Sequence, residues 1–398
     1  TKIKITIPDM AELSEGLGIR PGEDMTHSHI RKVRKLMRSL IDPFTLPTIQ
    51  FLKRFRLSKP LVVQLIRDLR PYIKESERRG SLSIETKVFI ALHFYATGSY
   101  QRVVSDSWIH CVGRSTAGQA IREVTNALNK RAIQRKWIKF PKTKSERKIH
   151  IDRNVRRFGI PNVLGFIDGT EITITPPHKN MNPQTYWTRK HHYAINCQVI
   201  CDSSLYIMDI LANYPGSCND AFIFKASGAR KRMQAAFREE PCWLLGLNFL
   251  ILYILGDSGY PNEPWCIIPL LDQEPGSAEE YFTKRHCRAR NSVERCIGVL
   301  KSRFRCLLKD RTHHYLPLRA ATIIKACTVL HNMCIMAGVP RPPLIEGEED
   351  GVAWVPQEQE HEEVDEIEAE MDERLALDPA GRNFAAAAVR SRPGGWVF

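Results

Sequence analysis

The sequence predicts an α/β protein in which a mixed sheet flanked by helices follows an all-α domain of helix-turn-helix type. Residues 27–129 show helical periodicity, β-rich apolar runs begin at residue 162, and helical periodicity dominates residues 278–337. With 398 residues, 43% of them hydrophobic, the chain is long enough for two folded domains and a tail. The predicted segments are an arm at 1–26, a helical domain at 27–129, a basic linker at 130–161, an α/β domain at 162–340 and an acidic tail at 341–398.

The charge of the chain is unevenly distributed. The formal net charge is +14, yet residues 346–373 contain fourteen acids and no Lys or Arg, which leaves about +28 on the rest. A folded body this basic is expected to bind a polyanion, and DNA or RNA is the commonest one inside cells. We expect the acidic tail to be mostly disordered. The alternative is a helix that docks on a basic partner or on the protein's own DNA-binding groove.

Cysteine usage and hydropathy predict the cellular location. The eleven cysteines are scattered and include no CxxC pair, so we expect reduced, buried thiols in an intracellular protein. No stretch approaches eighteen uncharged apolar residues, and no N-terminal signal pattern is present. The prediction is a nuclear protein, with the cytoplasm as a second location and no membrane partner. The oligomeric state stays open.

Helical patterns in residues 27–129 predict a DNA-binding unit. Helices are expected at 57–73, with Ser58 as N-cap, and at 84–97, which ends before a glycine. A short helix near 100–108, a glycine-containing turn and a helix capped by Ser115 then form a helix-turn-helix pattern. A helical packing domain is the alternative. The residues predicted to face outward from the last helix, and to contact DNA, are Thr116, Gln119 and Arg122.

The predicted linker at 130–161 is strongly basic. Between residues 130 and 157 lie twelve Lys or Arg residues and two acids, Glu146 and Asp152. We expect this segment to follow a phosphate backbone or to act in nuclear import, with a plain solvated linker as the alternative.

The α/β domain has a recognisable order of elements. Residues 162–175, 193–202 and 205–211 are β-rich and predict a three-stranded antiparallel meander. Helical segments follow at 220–236, and 248–255 is a continuous apolar run typical of a buried central strand. Helices dominate from 278 to 337. Meander, helix, strand, helices is the order of an RNase H-like fold.

Two aspartates end strand-like runs in this domain. Asp168 is followed by Gly169, and Asp257 by a loop containing Gly259. If the two strands are neighbours, their carboxylates lie side by side, repel each other and raise each other's pKa, which a divalent cation would relieve. The simpler alternative for either residue alone is an Asp that opens a turn.

A third acid lies on a predicted amphipathic helix. The apolar stripe of the segment NSVERCIGVLKSRFRCLL borders a second stripe that carries Glu294, Lys301 and Arg305. Glu294 can therefore point at the two aspartates, and Lys301 and Arg305 could bind phosphate beside them. An ordinary surface arrangement of Glu294 with its basic neighbours is the alternative.

Further candidates lie between the strands. Asp220, after a Pro-Gly-Ser turn, is either a helix N-cap or an extra metal ligand. In the segment RKHHYAIN, a basic surface is one interpretation and phosphate binding is the other. The residues predicted there to contact DNA are Arg189, Lys190 and His192.

Six blocks of the sequence carry a family resemblance: GFIDGTEITITPP, YWTRKHHYAINCQVICD, YPGSCNDAFIF, ILGDSGYP, NSVERCIGVLKSRFR and IIKACTVLHNMC. In this order, from about residue 162 to residue 334, they resemble the DDE endonuclease domain of PIF/Harbinger transposases and of the host-domesticated nucleases derived from them. The resemblance implies that Asp168, Asp257 and Glu294 form a catalytic triad and that Asp220 is an additional acid. The thirty-six residues between Asp257 and Glu294 agree with the family's spacing.

Three positions depart from the family pattern. Thr170-Glu171 stands where Thr-His is usual, Cys218-Asn219 replaces a small residue and His, and Lys190-His191 replaces the frequent Lys-Gly. We expect these changes to weaken activity or to alter the choice of substrate. They leave the triad in place.

The resemblance implies a hydrolase, a divalent-metal-dependent endonuclease that cuts double-stranded DNA. Two Mg²⁺ or Mn²⁺ ions held by the three triad acids and Asp220 would activate the attacking oxygen and stabilise the leaving one. The family also implies a separate Myb-like DNA-binding partner. Two alternatives stay open: a domesticated, catalytically inactive DNA-binding or scaffold protein that retains the nuclease fold, and an RNase H-like enzyme that acts on RNA.

Overall fold

The computed structural model describes residues 27–75, 81–107, 109–239, 242–244, 247–250, 252–271 and 273–342. The predicted arm at 1–26 and the acidic tail after residue 342 lie outside the described residues. Internal contacts divide the chain into two compact units, Thr1–Ala127 and Leu128–Phe398.

The described part of the first unit contains only helices. Its α-helices are α1 (His27–Leu40), α2 (Thr48–Phe55), α3 (Lys59–Leu69), α4 (Ile84–Thr97), α5 (Gln101–Asp106) and α6 (Arg114–Leu128), the last of which crosses the unit boundary by one residue. Their core includes an aromatic cluster in which the Phe55 ring lies 4.9 Å from Phe51 and 4.8 Å from Phe89. The aromatic rings pack α2 against α4 in edge-on and tilted arrangements.

Two predictions for the first unit are confirmed and one was wrong. The helix predicted within 57–73 is α3, followed by the short 3₁₀-helix Arg70–Tyr72, and Ser58 is its N-cap residue although its side chain makes no cap bond. Helix α6 begins at Arg114, and the Gly113 carbonyl accepts the Ala117 N–H at 2.9 Å. Ser115 therefore lies inside the first turn, and the prediction that it caps the helix was wrong. The outward face was correct, since its three residues are exposed: Thr116, Gln119 and Arg122.

The segment predicted as a basic linker is helical. Helix α7 (Arg131–Trp137) buries Ile133 and Trp137, and α8 (Lys144–Phe158) begins with a capping box formed by Thr143 and Glu146. Helix α8 packs on the first strand of the sheet, where Asn154 donates a hydrogen bond to the Val163 carbonyl at 2.8 Å. The linker prediction was wrong because a few buried side chains among many charges are enough to dock these helices.

The second unit is built on a mixed sheet. The strands are β1 (Val163–Thr173), β2 (Ala194–Cys201), β3 (Ile207–Pro215), β4 (Cys242–Leu244), β5 (Leu247–Leu250), β6 (Tyr253–Leu255) and β7 (Cys266–Ile267). The main sheet has the order β3-β2-β1-β6-β7, with antiparallel pairing of β1 with β2 and β2 with β3, and parallel pairing of β6 with β1 and β7. The predicted antiparallel meander is confirmed.

The apolar run at 248–255 does not form one strand. Leu250 pairs with Cys242 in the separate β4–β5 hairpin, whereas β6 alone joins the main sheet beside β1. The prediction of a continuous central strand was wrong, because an apolar run does not record which partner each half of it pairs with.

Helices flank the main sheet. They include α9 (Asp220–Ala226), α10 (Gly228–Glu239), α11 (Ala278–Arg303) and α12 (Pro317–Met336). Helix α11 packs on β1, β2 and β6, and α12 packs on β3. The architecture fits an RNase H-like α/β fold, as the sequence predicted. Among the described helices, none is both long and apolar enough to cross a membrane.

A buried amide ties the meander to its flanking helices. Asn332 on α12 accepts the Ile207 N–H at 2.9 Å and donates to the carbonyls of Ile207 at 2.7 Å and Trp137 at 2.8 Å. Its side chain is fully buried, so water has no access to replace these bonds.

Replacing Asn332 with Ala should lower the free energy of unfolding by about 3 kcal/mol, because it leaves buried backbone groups without partners. Urea unfolding followed by circular dichroism measures this. Met336→Ala, on an exposed position of the same helix, is the matched control and should cost less than about 0.5 kcal/mol. Equal losses in the two variants would contradict the role assigned to the amide.

Candidate active site

Strand β1 delivers Asp168 to the edge of the buried sheet. Residues 163–167 are buried and Asp168 is the first partly exposed residue of the strand, with 18% of its side chain accessible. Its Oδ1 accepts the Gly169 N–H at 2.8 Å. Burial raises the pKa of Asp168 from its ordinary 3.8 to about 6, and the neighbouring Asp257 and Asp220 add to the rise while Arg290 opposes it.

The parallel register of β1 and β6 places Asp257 beside Asp168. Phe166 pairs with Leu255, and each aspartate follows two residues later in its strand direction. Asp257 Oδ1 accepts the Gly259 N–H at 2.9 Å, which orients the carboxylate at the start of the loop. The register therefore brings the two carboxylates to the same end of neighbouring strands, and Asp257 contributes to the raised pKa of Asp168.

Arg290 joins the third acid to this pair. It lies one turn before Glu294 on α11, and its guanidinium Nη1 is 3.4 Å from Asp168 Oδ2. Its Nη2 pairs with the Glu294 carboxylate. One guanidinium therefore bridges the first and third acids of the predicted triad, which are far apart in sequence.

Asp220 lies on the other side of Gly169. Asn219, not Asp220, is the N-cap of α9, since its side chain accepts the Phe222 N–H at 2.8 Å. The alternative that Asp220 caps the helix was therefore wrong. Asp220 Oδ1 instead accepts a hydrogen bond from Asn196 at 3.1 Å. Burial raises the pKa of Asp220, and Asp257 contributes to the rise.

Gly169, the residue after Asp168, leaves room for the Asp220 carboxylate. A Cβ at Gly169 would lie 2.3 Å from Asp220 Oδ1. No side chain fits there while Asp220 keeps its position, so the Asp-Gly pair serves the packing of the acids as well as the bend of the strand.

A buried tyrosine lies close to the same acids. Tyr260 is 3% exposed, and its hydroxyl has no hydrogen-bond partner among the described residues. Burial raises the pKa of Tyr260, and Asp220, Asp168 and Asp257 all raise it further. The hydroxyl is a donor available to an oxygen that enters the site.

The four acids do not form a ready metal site in this geometry. Among the described residues, no group of three or more His, Cys, Asp or Glu side chains is arranged to hold an ion. Arg290 neutralises Asp168 and Glu294 instead. The donor chemistry still suits Mg²⁺ or Mn²⁺, which prefer carboxylate oxygens.

A cationic cavity of about 320 Å³ adjoins Asp220. Its lining includes Gly169, Thr170, Glu171, Thr173, Lys190, His192, Asn196, Asp220, Lys301 and Lys309. Lys301 donates to the Glu171 carbonyl at 3.2 Å, and burial lowers the pKa of Lys301. Three residues predicted to bind phosphate thus meet in one place: Lys190, His192 and Lys301.

The remaining predicted DNA contacts lie elsewhere. Arg189 is exposed, and Arg305 lies partly buried in the short 3₁₀-helix Arg305–Leu307; neither lines the cavity. Thr116, Gln119 and Arg122 belong to α6 in the first unit.

Sequence reasoning missed Arg290, Tyr260, Asn196 and Lys309. Arg290 carried a detectable signal, because it precedes Glu294 by four residues and so shares its helix face. Asn196 carried a weaker one, as a polar residue in a β-rich run. Tyr260 and Lys309 gave none that distinguishes them from other loop residues.

Comparison with known proteins relates the second unit to a nuclease family. Residues 167–332, which span from β1 to α12 and include all four acids, match the family described as DDE superfamily endonuclease. The chain is 29% identical over 303 residues to the Homo sapiens protein named "Putative nuclease HARBI1", covering 75% of this chain and 80% of the relative. Residues 167–332 are thus a DDE endonuclease-type domain, and the chain is similar to Harbinger transposase-derived nucleases.

Two further relatives are similar to the chain at nearly the same identity, one of them over a smaller share of its length. The Bos taurus protein of the same name is 29% identical over 301 residues, again 75% of this chain and 80% of the relative. The Arabidopsis thaliana "Protein ALP1-like" is 27% identical over 268 residues, 65% of this chain and 63% of the relative. No solved structure matches the chain.

The raised pKa of Asp168 predicts a pH-dependent gain from Asp168→Asn. A carboxyl whose folded pKa exceeds its unfolded one stabilises the fold below pH 4 and loses that contribution as pH rises through about 6. Measured in EDTA, the variant's free energy of unfolding relative to wild type should therefore rise by about 3 kcal/mol between pH 4 and pH 7.5. A difference that stays constant over this range would exclude the raised pKa.

Gly169→Ala should disturb the site more than the fold. The new Cβ meets a movable carboxylate, so the free energy of unfolding should change by less than about 1 kcal/mol. Gly165→Ala is the matched control, since its Cβ would lie 2.6 Å from the Cys201 carbonyl oxygen, and the clash with backbone should cost about 2 kcal/mol or more. A crystal structure of Gly169→Ala should show the Asp220 carboxylate moved away from β1; an unmoved Asp220 would contradict this.

Proposed function

We propose that this protein is a divalent-metal-dependent endonuclease that hydrolyses phosphodiester bonds of double-stranded DNA. The observation that carries the proposal is the convergence of three separate acids. The β1–β6 register sets Asp168 beside Asp257, and Arg290 links Asp168 to Glu294. The match of residues 167–332 to the DDE endonuclease family supports the same conclusion.

Asp168, Asp257 and Glu294, with Asp220 as an additional ligand, are the residues that would hold two Mg²⁺ or Mn²⁺ ions. When bound, such ions activate an attacking oxygen and stabilise the leaving oxygen of the phosphodiester. Asp168 lies beside Asp257 on the neighbouring strand and is linked to Glu294 through Arg290. It is therefore the acid best placed to contribute a ligand to both ions. Burial raises the pKa of Asp168 to about 6, and a bound cation would lower it again by favouring the ionised carboxylate.

The neighbouring residues of the chain have complementary tasks. Arg290, once released from Asp168 and Glu294, has two parallel N–H donors for a phosphate. Lys301 is held beside the cavity by the Glu171 carbonyl and supplies a further cation. The buried Tyr260 hydroxyl orients an oxygen next to the aspartates. These contacts place the scissile phosphate without reading the base sequence.

DNA recognition is proposed for the first unit. The exposed face of α6, with Thr116, Gln119 and Arg122, suits a helix that enters a major groove after a short turn. The basic helices α7 and α8 bring further positive charge to the phosphates. We propose a nuclear location, with the cytoplasm as a second one, and a separate Myb-like protein as a partner in DNA delivery.

One observation favours a second candidate, a DNA-binding or scaffold protein that retains the fold without cutting. In the described residues Arg290 satisfies two of the triad acids, and no three acids are set for an ion. Isothermal titration with Mn²⁺ separates the candidates, because the nuclease must bind ions through these acids and the scaffold need not.

Asp257→Asn and Glu294→Gln should each lower the rate of duplex cleavage in Mn²⁺ by at least about 100-fold, because each removes a carboxylate that would hold the catalytic ions. Gel assays on plasmid and duplex DNA measure this, with RNA and RNA–DNA hybrids as parallel substrates. Glu279→Gln, at the start of α11, is the matched control and should cut at the wild-type rate.

Cleavage by Asp257→Asn or Glu294→Gln at the rate of wild type would refute the assigned triad. Preferred cleavage of RNA or of the hybrid would refute the proposed substrate.

A further inference from the structure

The cavity beside Asp220 contains an anion supplied by the protein. The carboxylate of Glu171 lies 3.2 Å from His192 Nε2 and 4.0 Å from Lys190 Nζ. Lys301 and Lys309 also line the cavity. Four groups that can carry positive charge thus line the same cavity as this carboxylate.

Two of the basic groups are held in place by contacts that do not involve the Glu171 carboxylate. Lys301 donates to the Glu171 backbone carbonyl. His192 Nδ1 lies 3.2 Å from the Lys190 carbonyl, which turns Nε2 toward the cavity. Lys301 and His192 would therefore remain there if the Glu171 side chain moved away.

Two ion pairs of different exposure hold the Glu171 carboxylate. It is 24% exposed and pairs with the 15% exposed His192 and, at a longer distance, with the 72% exposed Lys190. The exposed pair with Lys190 is weak and depends on salt, so a competing anion mainly has to displace the pair with His192. A backbone phosphate offers two charged non-bridging oxygens to the same donors and forms charge-assisted hydrogen bonds with them.

The position of the cavity connects it to the site of chemistry. Gly169 and Asp220 both line the cavity. Asp220 is also one of the four acids, and Gly169 packs against its carboxylate. Glu171 lies three residues after Asp168 on the same strand, and it contributes to the raised pKa of Asp220. A phosphate in the cavity would be a near neighbour of the one at the acids.

We propose that this cavity is a subsite for a backbone phosphate next to the scissile one, and that Glu171 occupies the place of that phosphate until DNA displaces it. Glu171 thereby lowers the affinity of this subsite for a DNA phosphate. This inference rests on the proposed function for its substrate, double-stranded DNA.

Glu171→Gln tests the proposal by binding alone. In EDTA at fixed salt, fluorescence anisotropy with a labelled duplex and isothermal titration with inorganic phosphate should each show about threefold to tenfold tighter binding than wild type. Glu239→Gln, which removes an exposed acid 3.6 Å from Arg147, controls for net charge. It should tighten the binding of the duplex and of phosphate by less than about 1.5-fold. Adding Lys190→Gln to Glu171→Gln should abolish the gain.

Three results would overturn the inference: unchanged or weaker binding by Glu171→Gln, equal gains in both single variants, or a gain for phosphate without one for the duplex. Glu171→Thr, which suits a strand, is a second variant that should show the same gain if Glu171→Gln fails to fold. Neither measurement needs metal or cleavage, so a failed cleavage assay refutes the proposed function and leaves this result intact.

Discussion

The pairing of β6 with β1 is the constraint on which the site depends. Because the two strands run parallel and Phe166 pairs with Leu255, Asp168 and Asp257 leave the sheet side by side. Both strands are buried at that point, and burial raises the pKa of Asp168. Parallel neighbours require a crossover in the chain between them, and the antiparallel meander and two helices provide it.

Concentrated like charge has to be compensated in a folded protein. Here a cation of the chain, Arg290, neutralises two acids of the site, and an anion of the chain, Glu171, faces the lysines and histidine of the adjoining cavity. In the first arrangement a cation of the chain pairs with acids, and in the second an anion of the chain pairs with basic groups. Each occupies a position that suits one component of the proposed reaction, a metal ion or a phosphate, and each must give way when that component binds.

The sequence predicted the parts of this arrangement that are local. Alternating apolar residues predicted the meander, and the helical stripe of Val293, Ile297 and Leu300 predicted the buried face of α11. The sequence-based predictions were wrong where contacts between residues distant in the chain select the local structure. The 248–255 run divides between two sheets, the basic 130–161 segment docks as helices, and Asn219 takes the cap expected of Asp220. In each case several local solutions have similar energies, and packing selects one of them.

By itself the sequence determined the resemblance to DDE endonucleases, the presence and spacing of the four candidate acids, most of the strands and helices around them, and the basic character of the body. These follow from residue type and spacing, which the chain carries whatever its fold. Tertiary structure alone decided that Arg290 bridges Asp168 and Glu294, that Gly169 makes room for Asp220, and that Glu171 faces His192. Those contacts join residues from different strands, loops and helices, so their distances exist only after the sheet has set its register and α11 has packed on it.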